Sequence, residues 1–210
     1  MSFYSTGIQI PIESNRESLA KEANKSTWVD SVSAGLNLDQ KIAQFFMLGV
    51  YPTQGETNRA SVEKIIANYD IGGVIFFKGH PGQIASWTND FQSAAKTPLF
   101  VSIDGEWGIN MRVDSTIQYP RQLTLGAIQN NNLIFEMCEQ IGEECKAVGI
   151  NINLAPVIDV NNNINNPVIN DRSFGEDKYN VALKGLSYAQ GMQHVGVMAV
   201  GKHFPGHGDT

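Results

Sequence analysis

Ile71-Gly-Gly-Val-Ile-Phe-Phe77-Lys-Gly-His80-Pro81-Gly-Gln-Ile-Ala-Ser-Trp-Thr-Asn-Asp-Phe-Gln-Ser-Ala-Ala95-Lys-Thr-Pro-Leu99-Phe-Val-Ser-Ile103-Asp104 holds the plan of the fold. Its two ends are apolar runs without polar alternation, the pattern of strands buried on both faces. Between them, Pro81 stands where a proline suits the first turn of a helix, and the residues to Ala95 carry a helical pattern. Strand, helix, strand without a tight hairpin turn is a crossover unit, and such units pair their strands in parallel.

The same step recurs on either side. Phe45–Val50 reads as a short buried strand and Asn58–Asn68 as the helix before Ile71–Phe77. After Leu99–Ile103 a long loop runs to about Asn130. A helix to Val148 follows, with Gly149 as its stop, then a strand over Ile150–Ile158, a helix over Glu176–His194 and a strand over Val197–Lys202. Upstream, residues 1–15 show no periodicity and read as a leader. A helix is predicted from Asn15 to about Ser33, and another opens at Asn37 with an Asn cap. The domain reading is therefore a leader with its helix over 1–36 and a barrel portion over 37–210. Successive βα steps of one character suit an α/β fold of the (β/α)8 class, here as an incomplete N-terminal portion of about five units. A closed barrel takes about 250 residues, and the sequence stops in a loop just after a strand, so the chain is expected to be part of a larger catalytic domain.

Composition narrows the function. The 210 residues carry 15 Lys and Arg against 21 Asp and Glu, a net charge of −6, with 42% hydrophobic and 17% charged residues. This is a globular composition and not a disordered one. An acidic balance without a basic run leaves little to neutralise phosphates, so nucleic acid is not an expected partner. No apolar run approaches the roughly 20 residues of a membrane span. Residues 1–30 also lack the basic start and apolar stretch of a signal peptide. As written the protein stays in the cytoplasm, and a lost upstream signal would place it in the periplasm or outside the cell. Cys138 and Cys145, seven apart on one predicted helix, lie about 10.5 Å apart at 1.5 Å per residue. That is too far for a disulfide, so they read as packed free thiols.

The polar residues gather after the apolar runs, at the strand ends where barrels place their sites. Strand 2 ends at Lys78 and His80, strand 3 at Asp104-Gly-Glu106, strand 4 at Asp159 and strand 5 at Lys202-His203. Asp104 taken alone could simply cap a loop, but Trp107 beside it offers the aromatic face that commonly holds sugar rings. Arg112 could fold back to the same mouth or stand in solvent. Arg172 has a simpler reading as the partner of Asp171 or Glu176. The Asn-rich stretch Asn161–Asn170 directly follows strand 4, where site loops grow, and Asp159 is read as its anchor. His203 and His207 have a metal-like spacing, but Pro205-Gly206 between them forbids the helix that would align them, so no metal site is expected. A Lys202 in or just after a strand must be paired or bind something.

With these residues assembled, the chain resembles glycoside hydrolase family 3, in its β-N-acetylglucosaminidase branch. Lys202-His-Phe-Pro-Gly-His-Gly-Asp-Thr210 is the most specific stretch. Asp104-Gly-Glu-Trp-Gly-Ile-Asn-Met-Arg112, Ala155-Pro-Val-Ile-Asp159-Val and Arg172-Ser-Phe-Gly-Glu-Asp177 agree in order. The resemblance implies that Asp104, Arg112, Arg172, Lys202 and His203 bind the nonreducing-end sugar. It implies neither a metal nor an organic cofactor. It places the acid/base, an Asp-x-His pair, and the nucleophilic Asp beyond Thr210, so no catalytic residue is assigned within this chain, and His207 and Asp209 are not given those roles. The implied reaction is retaining hydrolysis of terminal N-acetyl-β-glucosaminides through a glycosyl-enzyme. The implied partner is an N-acetylglucosamine-containing oligosaccharide or muropeptide. Where this branch usually has Gly-Gly after the Glu, the chain has Trp107-Gly108, which alters the mouth. Two other readings compete: a Schiff-base or phosphate-binding barrel lyase using Lys202, and a noncatalytic sugar-binding module. Oligomeric state and compartment stay open.

Overall fold

The computed structural model describes residues 27–209. The expected leader over 1–15 and the helix from Asn15 up to residue 26 lie outside the described residues. The chain divides into two compact units, residues 1–41 and 42–210. In the first, α1 spans 27–35. α2 (Leu38–Ala43) runs across the division and opens as predicted: the Asn37 side chain accepts from Gln40 N–H at 2.9 Å, while Gln40 Oε1 accepts from Asn37 N–H at 3.1 Å. That reciprocal cap satisfies two otherwise orphaned donors.

The second unit is a five-stranded parallel sheet in the order β1-β2-β3-β4-β5. The strands are β1 (Met47–Val50), β2 (Gly73–Phe76), β3 (Phe100–Ile103), β4 (Ile152–Asn153) and β5 (Met198–Ala199). Consecutive neighbours in consecutive order are the arrangement of a (β/α)8 barrel and not of a doubly wound sheet. The connecting helices are α3 (Glu56–Tyr69), α4 (Pro81–Ala94), α5 (Gln122–Gly126), α6 (Asn131–Ala147) and α7 (Lys178–His194).

The period of two along each strand sorts the side chains. Val50, Val74, Phe76, Val101 and Ile103 are fully buried with Ile84, Phe91, Ile134, Ile141 and Tyr188, forming the core between sheet and helices. The alternate positions line the inner face, where Met47, Phe100, Met198 and Val200 are 40–49% exposed. Cys138 and Cys145 sit free and buried in this core on α6, and burial pushes the Cys145 thiol up to about 12.

Several boundaries differ from expectation. β4 and β5 are two residues each, where much longer runs were predicted. Pro156 has no N–H to donate, so the ladder lapses there; Val200 N–H is shared by Asn153 O and Ala155 O, and pairing resumes at Val157 and Lys202. The long loop after β3 is not featureless: it contains a 3-10 turn at Ile109–Met111 and the short α5. Finally, α7 starts at Lys178 and not Glu176, because the Asp177 side chain accepts from Tyr179 N–H at 2.9 Å and caps it.

Candidate active site

Asp104 follows the last residue of β3, on the inner-face side of its alternation. Its carboxylate accepts from Lys202 Nζ at 2.5 Å and from Arg112 Nη2 at 2.6 Å. Arg112 also donates from Nε to Asp104 O at 3.2 Å, so it does fold back to the mouth. Two residues on, Glu106 is 1% exposed and takes the Arg172 guanidinium in a fork, Nε to Oε2 at 2.9 Å and Nη2 to Oε1 at 2.7 Å. Lys202 Nζ lies 2.8 Å from Glu106 Oε1 and so bridges both carboxylates. Asp104, Arg112, Arg172 and Lys202 form one network at the carboxyl ends of the strands.

The charges explain its protonation. Burial alone pushes the Asp104 carboxyl up, but Lys202 and Arg112 outweigh it and hold the group below the usual carboxylate range. Burial pushes Glu106 up likewise, and Arg172 and Lys202 bring it below its ordinary value. Three cations face two anions, so the network carries net positive charge and N–H donors suited to neutral hydroxyls.

Arg172 is paired with neither Asp171 nor Glu176. The 3-10 turn Asn170–Arg172 turns it inward to Glu106, while Asp171 pairs outward with Arg121 at 3.0 Å. His203 stands apart from the carboxylate network: its Nδ1 lies 2.6 Å from Asp159 Oδ2. Asp159 also accepts from His203 N–H at 3.2 Å and His207 N–H at 2.7 Å. The expectation that Asp159 anchors the Asn-rich loop holds only for its carbonyl, which accepts from Ser173 Oγ at 2.6 Å just past that loop, and is corrected for its carboxylate, which holds the turn over 203–207. The Asn-rich loop is organised by Asn166, whose Oδ1 accepts from Val168 N–H and Ile169 N–H and whose Nδ2 donates to His207 O at 2.7 Å. Gly208 allows the turn to settle, because a Cβ there would stand 1.7 Å from Val160 O. The His203 and His207 rings meet edge to face at 5.8 Å. Lys78 is exposed and His80 caps α4 by accepting from Gly82 N–H, so neither enters the network.

Sequence reasoning gave Glu106 no role of its own. Its signal was its spacing: two carboxylates at i and i+2 after a strand project to the same side while the chain stays extended. For Asp159→Ala, the two backbone N–H groups and the His203 ring nitrogen that meet its carboxylate on the partly buried 203–207 turn lose that partner. The expected result is a lower urea midpoint for the barrel unit, reporting a loss of unfolding free energy of about 1–3 kcal/mol, on the scale of leaving a polar group unsatisfied. An unchanged midpoint would show that the turn is held by other contacts.

Parallel βα units with a charged network at their carboxyl ends define an α/β-barrel protein with a polar binding mouth. The chain belongs to glycoside hydrolase family 3: residues 37–210 match the family described as the glycosyl hydrolase family 3 N terminal domain. It is 36% identical to β-hexosaminidase A of Pseudoalteromonas piscicida over 83% of the chain and 34% of that protein. Among solved structures, a family 3 β-N-acetylglucosaminidase from Paenibacillus sp. str. FPU-7 is 38% identical with a TM-score of 0.77, covering 83% of the chain and 34% of that protein. The β-glucoside phosphorylase BglX is 25% identical with a TM-score of 0.80, over 87% of the chain and 32% of that protein. The chain therefore spans about a third of the length of these relatives. Among the described residues no helix is long and apolar enough to cross a membrane.

Proposed function

We propose that the protein carrying this chain hydrolyses nonreducing terminal N-acetyl-β-glucosaminides with retention of configuration, residues 37–210 supplying the part of the barrel that holds the sugar. The observation that carries this reading is the Lys202 ammonium shared between Asp104 and Glu106, with Arg112 and Arg172 closing the network on either side. Such a network places fixed donors and acceptors around a ring without reorganising when the ring arrives. Asp104 would accept from ring hydroxyls, Arg112, Arg172 and Lys202 would donate to them, and His203, oriented by Asp159, would contact the same sugar. The names of the relatives support N-acetylglucosaminide chemistry. The substrate is an oligosaccharide or muropeptide ending in N-acetylglucosamine. The acid/base and nucleophile come from sequence following Thr210. Against the Schiff-base alternative, the Lys202 Nζ is already engaged by two carboxylates, Asp104 and Glu106, and is not presented as a free nucleophile.

Proton NMR of the first-formed product from an aryl N-acetyl-β-glucosaminide tests this in the full-length protein. The β-anomer of N-acetylglucosamine is expected first, and an initial α-anomer would overturn the mechanism. Including inorganic phosphate separates the phosphorylase outcome, which would give a sugar phosphate visible by phosphorus NMR.

A further inference from the structure

One residue outward from the Glu106–Arg172 pair, the same two loops are joined a second time. The Arg121 guanidinium lies over the Trp107 ring, 4.2 Å from its centroid, and Arg121 Nη1 donates to Asp171 Oδ1 at 3.0 Å. Glu106 and Trp107 are consecutive, as are Arg172 and Asp171, so the inner contact and the outer one run side by side. The inner one is largely buried. In the outer one Arg121 is 49% and Asp171 47% exposed at the side chain, and Trp107 is half-buried.

The presentation of Trp107 is fixed by the residue after it. Gly108 has φ +91, and a Cβ there would stand 2.5 Å from the Tyr119 ring, whose hydroxyl donates to Glu144 at 3.2 Å. The backbone also forms a bridge between Glu106 and Gly108. The backbone that carries the indole is therefore held at Gly108 as well as through the contact of the ring with Arg121. An exposed ion pair such as Arg121–Asp171 contributes little to a fold. Its consequence at this place is geometric: it keeps the Arg121 guanidinium over one face of the indole, 4.2 Å from the ring centroid, so that a ligand would meet the opposite face of the ring and the N–H groups of Arg121 not used by Asp171. One edge apolar and one edge donating is the chemistry that receives a pyranose, with its C–H face and its hydroxyls.

We propose that Trp107 and Arg121 form the wall against which a second sugar of a β-linked N-acetylglucosamine oligosaccharide packs, making them specificity-determining residues for chain length. The inference rests on the proposed function, with Asp104, Arg112, Arg172 and Lys202 holding the first sugar.

Calorimetric titration of the full-length protein with N-acetylglucosamine and with the uncleavable thio-linked diacetylchitobiose tests it without any need for turnover. Trp107→Leu is expected to weaken the disaccharide at least tenfold more than the monosaccharide. Arg121→Ala is expected to do the same to a smaller extent, with Arg121→Lys recovering part of the loss. Equal weakening of both sugars by Trp107→Leu, or weakening of neither, would overturn this proposal while leaving the proposed function intact. Binding of neither sugar by the wild-type protein would overturn both.

Discussion

Replacing Arg172 or Asp104 by Ala in the full-length protein should lower kcat/KM on an N-acetyl-β-glucosaminide by roughly tenfold to more than a hundredfold. In the proposed reading each variant removes a charged partner of the sugar's hydroxyls, a loss on the order of 1.5–3 kcal/mol. The two should not be equivalent in other respects. Arg172→Ala leaves Glu106 with Lys202 alone, and Asp104→Ala leaves Lys202 with Glu106 alone and Arg112 without its carboxylate. Steady-state kinetics on folded variants decide the matter. Arg172→Ala within twofold of wild type would make Arg172 a purely structural partner of Glu106, and its sugar-binding role would be wrong.

Glu106→Ala should be the most destabilising single change in the site, by about 3–5 kcal/mol, because it leaves two cations at a largely buried place without their shared anion. Its companion, Glu106→Gln, keeps the shape and isolates the charge. Glu106 is held below its ordinary pKa in the folded protein, so the stability it contributes is present above the carboxylate's unfolded value and is lost as pH falls through the folded one. The wild-type protein should therefore lose stability as pH drops below about 4, the ordinary carboxylate region. Glu106→Gln should start lower and lose less over that window. Thermal melts of both proteins across acid pH check this, and parallel curves would place the acid lability elsewhere, with Asp104 the next group to test.

Much of this is legible in the sequence. The apolar runs ending at Val50 and Phe77, each followed by a helical pattern, and the run ending at Ile103, followed by a long loop and then a helix, give parallel strands in order, because a strand covered on both faces has nowhere to place polar residues until it ends. For the same reason Asp104 and Lys202 at the ends of their runs pointed to one mouth. Arg112, eight residues from Asp104, was within reach of a simple loop return. The Asn37 cap was readable for a related reason, since its partner lies within one helical turn.

What only the tertiary structure decided are the pairings across 40 to 100 residues. By sequence, Arg172 has carboxylates beside it at Asp171 and Glu176. It takes Glu106 instead because the 3-10 turn directs consecutive side chains apart, sending one into the mouth and the other to Arg121. Asp159 likewise follows an apolar run that borders the Asn-rich loop, yet its carboxylate meets the turn over 203–207, because the resumed pairing of Val157 with Lys202 brings the two segments alongside. Local periodicity determines which residues a strand delivers to the sheet's end. Which of them touch depends on the closure of neighbouring strands, and no spacing along the chain encodes that distance.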